Sequence, residues 1–339
     1  MPAPTISVIV TVFNRERYIE QALESILSQT LTSLELIVVD DGSTDSTVER
    51  VLGISDPRLR LIRHERNLGI PAARNSGLCT AEGDFVAWLD SDDVALPTRL
   101  ERQIDFLRRN PSVALVGCCA SKVSATGARL RGVRVPPLDH QAIKAWLLFR
   151  TAFQQSSITG RAEILKQYPY RQEFPVCEDV DMFVRIAADH EVANMPAVLM
   201  RRRLHAGQIV RGSADKIIEA QSRISAPMLQ SLGIEISADD LKCHGVLGTS
   251  LGSRPDRFYL QWAEDWLHRL IAANARALVF KPEALRLAAA YFWIWACLRC
   301  SERSIALKEL LGSRISCGIM SAQRGRWLVR AAAISINNR

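Results

Sequence analysis

Asp90-Ser91-Asp92-Asp93 sets three carboxylates within four positions, after the apolar run Phe85–Leu89 and a Gly83-Asp84 turn. Like charges this close repel unless a cation lies between them, and one or two carboxylates completed by phosphate oxygens and water are the usual ligands of Mn2+ or Mg2+. A solvated acidic turn, or a cap for the helix after Pro97, accounts for the same residues. Asp40-Asp41-Gly42-Ser43-Thr44-Asp45 follows Ile37-Val38-Val39. One of its first two acids would face the space beyond that run, where a buried carboxylate suits the N3–H of uracil or thymine; a turn with a helix cap is the alternative.

Arg74-Asn75 sits in a helix opened by Pro71, where a guanidinium and a helix N-terminus together form an anion site; an ion pair of Arg74 with Glu82 or Asp84 is the bland alternative. Glu178, Asp179 and Asp181 start an amphipathic helix that carries Arg185 one turn on. The helix dipole favours such acids whatever they do, but Asp179 facing a cleft could take a proton from a hydroxyl as general base. Arg201-Arg202-Arg203-Leu204-His205 ends a strand-like run. Its arginines could hold a diphosphate and His205 could complete a metal site, although a lone histidine also serves structure.

The elements that must position these groups alternate. Ile6–Val12, Leu34–Val39, Leu59–Arg63 and Phe85–Leu89 read as buried strands, separated by helices over Arg15–Gln29, Val48–Leu52 and Pro71–Cys79. That order implies a mostly parallel sheet with helices on both faces and ligands at the carboxyl ends of its strands. The first strand ends in Thr11, Phe13 and Asn14, the second in Asp40 and Asp41, the fourth in Asp90, Asp92 and Asp93, so all three reach one crevice.

The chain has 339 residues, 48% hydrophobic and 23% charged, which excludes disordered and polytopic membrane proteins. Residues 1–200 hold 22 basic and 25 acidic side chains, residues 201–339 hold 21 and 11. The acidic first part speaks against a nucleic-acid clamp, and the basic second part favours an anionic partner. Eight cysteines without a regular framework fit a reducing compartment, with Cys297-x-x-Cys300 read as packing rather than zinc or redox. Ile6–Val12 is too short for a signal sequence and lacks a basic segment before it, so the expected location is the cytoplasm.

Taken in order, Ser7–Asn14, Ile26–Thr30, Glu35–Asp45, Asn67-Leu68-Gly69, Ala73–Gly77, Leu89–Asp93, Glu178-Asp179 and Arg203–His205 resemble family 2 of the inverting nucleotide-sugar glycosyltransferases, over about residues 5–210. The resemblance implies the α/β GT-A fold, a Rossmann-like sheet flanked by helices and followed by a helical C-terminal region. It implies that Thr11, Phe13 and Asp41 bind the base, with Phe13 where Tyr is common, and that Asn14, Arg74 and Asp90 belong to the nucleotide site. By the same likeness Arg203 holds phosphate, Asp92, Asp93 and His205 bind the metal, and Asp179 is the catalytic base. The implied reaction is a single displacement from a nucleoside diphosphate sugar, with UDP preferred, onto a hydroxyl of a glycan or lipid-linked glycan. Two other classes were weighed: a sugar-phosphate nucleotidylyltransferase, which needs a Gly-rich triphosphate loop near the N-terminus that is absent, and a binding scaffold, which needs no Asp179.

The domains expected are a catalytic one over 1–210 and a basic, helical one over 211–339. Gln323-Arg-Gly-Arg326-Trp327 fits a motif of processive synthases but lies 144 residues beyond Asp179, so the enzyme is expected to be non-processive. The apolar run Ala288–Leu298 is too short to span a bilayer and suits a buried or interfacial helix. Five arginines and no acid after Leu310, with Trp293, Trp295 and Trp327, suit peripheral contact with an anionic membrane at its inner face; a helical cap with a solvated basic rim suits them equally.

Overall fold

The computed structural model describes residues 4–207, 214–249, 254–313 and 315. The five arginines after Leu310, Cys317 and Gln323–Trp327 lie outside the described residues. Two compact units divide the chain: residues 1–140 with 153–208, and residues 141–152 with 209–339.

The first unit begins β1 (Ile6–Val12), α1 (Ile19–Leu27), β2 (Leu34–Asp40), α2 (Thr47–Leu52), β3 (Leu59–Arg63), α3 (Ile70–Thr80) and β4 (Phe85–Trp88). It continues with β5 (Val94–Ala95), α4 (Arg99–Arg109), β6 (Val113–Ser124) and β7 (Arg129–Arg134). After α5 (His140–Leu147) come β8 (Thr159–Arg161), α6 (Ala162–Leu165), α7 (Glu178–Asp189) and β9 (Glu191–Leu204). One sheet in the order β3-β2-β1-β4-β8-β6-β9-β5, with β7 beside β6, joins all nine strands.

The half β3-β2-β1-β4 is parallel throughout; the apolar runs of β1 and β2 are buried on both faces, while β3 at the edge is half-exposed. From β8 onward the sheet is mixed: β8 is antiparallel to β4 and β6, while β9 runs parallel to β6. Ile6, Val8 and Val10 pack under α1 and α4 through Leu23, Ile26, Leu100 and Ile104. On the opposite face α3 lies close to the sheet because residue 77 is Gly: a Cβ there would come within 2.5 Å of Ile9 Cγ2. This packing brings Arg74 and Asn75 of α3 over the ends of β1 and β4.

The strands β6 to β8 lie outside the sequence expectations. Val113–Ser124 is rich in Gly, Ala, Cys and Ser, which dilutes the β-branched signal, yet it pairs with β9 up to Ser124↔Leu204. That long ribbon carries residues 201–205 to Asp92.

The second unit comprises residues 141–152, α8 (Ala214–Gln230), α9 (Ala238–Gly248), α10 (Arg257–Ala277), α11 (Pro282–Arg299) and α12 (Arg303–Gly312). Residues 288–297 of α11 are buried on every side, so the apolar run is the axis of a helical core. Among the described residues no helix is long and apolar enough to cross a membrane. Residues 141–152 belong here because Phe149 stacks on Phe292 at 4.6 Å, Trp146 lies 4.4 Å from Tyr291, and Gly248 leaves room for the Phe149 carbonyl. Seven described cysteines are free, with Cys297 and Cys300 buried in this core.

Candidate active site

The end of β1 supplies an exposed ring and two anchors. Phe13 is 40% exposed, and Thr11 is half-buried beside it. Asn14 takes a left-handed conformation, φ 52°, its N–H donates to Ser43 Oγ at 2.9 Å, and its Oδ1 accepts from Thr44 N at 2.8 Å. Asn14 therefore ties the β1 and β2 loops together, and its amide oxygen is committed to that tie.

Asp40 is fully buried, with one oxygen accepting Ser43 N–H and the other unpaired. Asp41 Oδ1 meets His64 Nδ1 at 2.7 Å and accepts Leu68 N–H at 2.9 Å; Oδ2 accepts Gly69 N–H at 2.9 Å. A carboxylate has about four acceptor directions, so these three bonds orient Asp41 and leave one free. His64, held on its other nitrogen by Ser76 at 3.0 Å, drew no notice in the sequence, where a histidine just past a strand carries no distinctive pattern.

Arg74 is buried and pairs not with Glu82 or Asp84 but with Glu178, a very short contact, and reaches Asp90 at 3.5 Å. Glu82 is taken instead by Arg60 at 2.9 Å. The Arg74 guanidinium also lies over Tyr170, 5.4 Å from its ring centre. Asn75 grips the same residue from both sides, donating to Tyr170 O at 2.8 Å and accepting Tyr170 N–H at 2.9 Å. One turn of α3 thus fixes the segment leading to α7. Burial pushes Glu178 up to about 7 against the pull of Arg74, with the Asp179 charge adding to the rise. For Arg74 the penalty of burial is outweighed by Glu178, Tyr170, Asp90 and Asp179, and its pKa is raised.

Asp179 stands in the first turn of α7, its Oδ1 accepting Val180 N–H at 2.8 Å. Its charge is felt by Arg74, Asp90 and Tyr170, so the acid of α7 and the acid after β4 share one cleft. Asp181 is not part of it: the side chain is buried and pairs with Arg185 at 2.9 Å. Cys177, just before α7, is left-handed at φ 62°, which sets the entry angle of Glu178 and Asp179.

The Asp90–Asp93 turn separates its acids. Asp90 N–H donates to Ser156 Oγ at 3.0 Å and its carboxylate is 40% exposed beside Arg74. Asp92 Oδ2 lies 2.7 Å from His205 Nε2, while His205 Nδ1 accepts Gly207 N–H at 3.1 Å. That second bond sets the tautomer, with the proton on Nε2 toward Asp92. Asp93 points inward: Oδ1 accepts Arg203 N–H at 2.9 Å and Oδ2 faces Gln154 at 3.5 Å. Burial, with the charges of Asp92 and Asp90, pushes it up to about 8.

Two of the expected ligands are engaged within the protein. The oxygens of Asp93, expected at the metal, brace β9, and among the described residues no three His, Cys, Asp or Glu side chains come together as a cluster. Arg203, expected at phosphate, is engaged likewise. It is buried, with Nε on Asp92 O at 2.9 Å, Nη1 on Ala125 O at 3.2 Å, Nη2 on Gln21 Oε1 and its guanidinium 4.9 Å from the centre of the Tyr18 ring. Arg203 holds the acidic turn and the His205 strand in register. Period-two alternation already sets Arg203 and His205 on one side of β9; what the sequence hides is that this side faces protein.

Residues 7–168 match the family described as Glycosyl transferase family 2. Amylovoran biosynthesis glycosyltransferase AmsE of Erwinia amylovora is 32% identical over 203 residues, 58% of this chain and 75% of that protein. UDP-Glc:alpha-D-GlcNAc-diphosphoundecaprenol beta-1,3-glucosyltransferase WfgD of Escherichia coli is 41% identical over 105 residues, 31% of this chain and 42% of that protein. In structure, S. aureus TarS 1-349 in complex with UDP-GlcNAc aligns with a TM-score of 0.58 at 20% identity, over 85% of this chain and 91% of that one, a likeness of fold. With its motifs on the matching strand ends, this chain belongs to glycosyl transferase family 2 and is a glycosyltransferase built on the GT-A fold.

Proposed function

We propose that the chain moves a sugar from a nucleoside diphosphate donor, UDP-linked by preference, to a hydroxyl of a glycan or lipid-linked glycan, inverting the anomeric centre in one non-processive step. The observation that carries this reading is the continuous chain of contacts from the Asp92–His205 pair through the Asp90 turn and Arg74 to Glu178-Asp179. It links a leaving-group end to a base end across one cleft. The relatives named for amylovoran synthesis and for a diphosphoundecaprenol acceptor support surface polysaccharide assembly as the setting.

Phe13 offers its exposed face to the base, Thr11 lies beside it, and the free direction of Asp41 accepts the base N–H. Asp90, with Arg74 against it, lines the ribose and diphosphate side. Asp92 Oδ2 would hold a hard divalent ion, and His205 Nε2 would join it once its proton is lost to the incoming ion's displacement of the Asp92 contact, in a turn whose acids push up the pKa of Asp93. Mn2+ or Mg2+ held there would neutralise charge on the departing diphosphate. Asp179 receives the acceptor proton as the acceptor oxygen bonds to the anomeric carbon and the bond from that carbon to the diphosphate oxygen breaks. Buried Arg74 and Glu178 keep Asp179 on the acceptor side of that carbon. On this reading the protein works at the inner face of the cytoplasmic membrane, where the arginines after Leu310 would contact anionic lipid.

The test is release of nucleoside diphosphate from a panel of UDP-, GDP- and dTDP-sugars, with Mn2+ and with chelator. Turnover of one donor, abolished by chelator and by Asp92→Asn, is expected; full turnover in chelator would overturn the metal site, and no turnover of any donor the reading itself.

A further inference from the structure

The arginines of the first unit fall into two sets. Arg58, Arg60, Arg74, Arg99, Arg161, Arg185 and Arg203 all bind carboxylates or carbonyl oxygens. Among the described residues Arg17, Arg63, Arg66, Arg102 and Arg108 make no ion pair and no side-chain hydrogen bond, and neither do five cations that share one ribbon, Lys122, Arg129, Arg131, Arg201 and Arg202. All five lie on the ribbon β7-β6-β9. No acid occurs in residues 121–138 or 200–207.

The register sorts them. Lys122 pairs across from Arg202, so the two side chains stand on one face of the ribbon, and Ala120↔Arg134 puts Arg134 on that face from the other side. Lys122 and Arg202 are half-buried rather than splayed into water. Burial lowers the Lys122 pKa, and the charges that add to the shift are those of Arg202 and Arg134, both of its own sign. Cross-strand like charges destabilise a sheet, so the facing Lys122 and Arg202 are the basic counterpart of the Asp90–Asp93 turn: an arrangement that an anion relieves.

We propose that Lys122 and Arg202 form a phosphate-binding site that takes the phosphate or diphosphate group of the sugar acceptor. The identity of that occupant rests on the function proposed above. Arg202 lies three residues before His205, about 10 Å along an extended chain, and the end of the same ribbon is held by Arg203 through the Ser124 and Ala125 carbonyls. Alternation puts Lys122 and Arg202 on the face of the ribbon opposite Arg203 and His205, so an anion bound there would be joined to the proposed leaving-group end by a saccharide passing the end of the ribbon.

The test uses the full chain with saturating UDP, so that the donor site is filled, and geranyl diphosphate as a soluble diphosphate probe titrated by calorimetry. The wild type is expected to bind it, and Lys122→Ala/Arg202→Ala to bind at least tenfold more weakly, while the charge-preserving Lys122→Arg/Arg202→Lys stays within threefold of wild type. Equal affinity in the alanine variant, or no binding by the wild type, would overturn the site. The same proteins are tested on phosphatidylglycerol vesicles and on a short DNA duplex; a loss confined to either, with geranyl diphosphate binding intact, would overturn the acceptor assignment in favour of a polyanionic surface. Because donor turnover is not the readout, failure here is distinct from failure of the proposed transfer.

Discussion

The two units bury opposite kinds of material. At the strand ends of the first, Arg74, Asp93, Glu178 and Arg203 are almost fully withdrawn from solvent. The second is built on Phe149, Trp266, Phe280, Phe292 and Trp293, with His244 and Asn274 as its fully hydrogen-bonded polar inclusions. Burying a charge costs several kcal/mol even when it is paired, whereas a large apolar side chain contributes about 2–3 kcal/mol. The first unit therefore holds its cleft at the expense of stability, and the second is a conventional apolar core.

The sharpest break of that comparison comes from the base. Asp179→Asn changes a half-buried side chain whose only hydrogen bond is to the neighbouring backbone. Transfer should fall about 10²–10⁴-fold with the thermal transition unmoved. Initial rates beside a melting curve check this, and wild-type rates in the variant would remove Asp179 from the base role.

Arg74→Ala comes next, and it strikes stability as well. It strands Glu178, already pushed up to about 7, in a buried site without its cation. A loss of about 3–5 kcal/mol is expected in chemical denaturation followed by hydrogen exchange of α3 and α7. Arg74→Met/Glu178→Met should recover most of that loss while transfer stays low, separating the pair's cost to the fold from its use in the cleft. If the double variant is as unstable as the single one, Asp90 or Tyr170 rather than Glu178 is the main partner.

In the second unit His244 is a fully buried ionisable group. Trp266 Nε1–H donates to its Nδ1 at 3.0 Å, and its Nε2–H donates to the Leu148 carbonyl at 2.8 Å, so both nitrogens are committed in the neutral form. A second ring proton would oppose the indole N–H, and burial lowers the pKa to about 4. Below pH 6.5 the unfolded chain then binds a proton that the folded one refuses, so stability falls as pH drops from about 6.5 to about 4, by roughly 3 kcal/mol in all. Tryptophan fluorescence reads this unit, since Trp146, Trp262, Trp266, Trp293 and Trp295 lie in it. A transition insensitive to pH between 6.5 and 4 would mean that His244 is not held neutral.

How much of this was legible in the sequence follows the same division. The strands β1 and β3 begin and end where the sequence places them, β1 because both its faces are covered and β3, a half-exposed edge strand, because apolar and basic residues alternate in it. Asp41, Asp90, Asp92 and His205 follow the ends of strands, as the alternation of elements places them, and Asp179 opens α7. What escaped were partners rather than positions: Glu178 for Arg74, His64 for Asp41, and the inward turn of Asp93 and Arg203. Such choices depend on which face of β9 meets α1, and that is decided by pairing across more than a hundred residues. The transfer of residues 141–152 to the helical unit was hidden likewise, since Trp146 and Phe149 look like any core aromatics until Tyr291 and Phe292 are beside them.

The smallest expected effect lies at a helix end. Ser237 accepts Asp240 N–H at 3.0 Å and Asp240 accepts Ser237 N–H at 3.3 Å, a reciprocal cap for α9, while Asp256 caps α10 through Tyr259 N–H at 2.8 Å. In the first unit α1, α3 and α7 begin without a side-chain cap, and α3 and α7 are the helices that carry Arg74 and Asp179. Side-chain caps thus occur on α9 and α10, away from the proposed chemistry, while α11 and α12 of the same unit, like α3 and α7, go without. Ser237→Ala should cost the second unit about 1 kcal/mol by fluorescence-monitored unfolding and leave nucleoside diphosphate release at the wild-type rate. A drop in turnover as large as the drop in stability would show that the helical unit takes part in catalysis, and the contrast between the two units would then have to be drawn elsewhere.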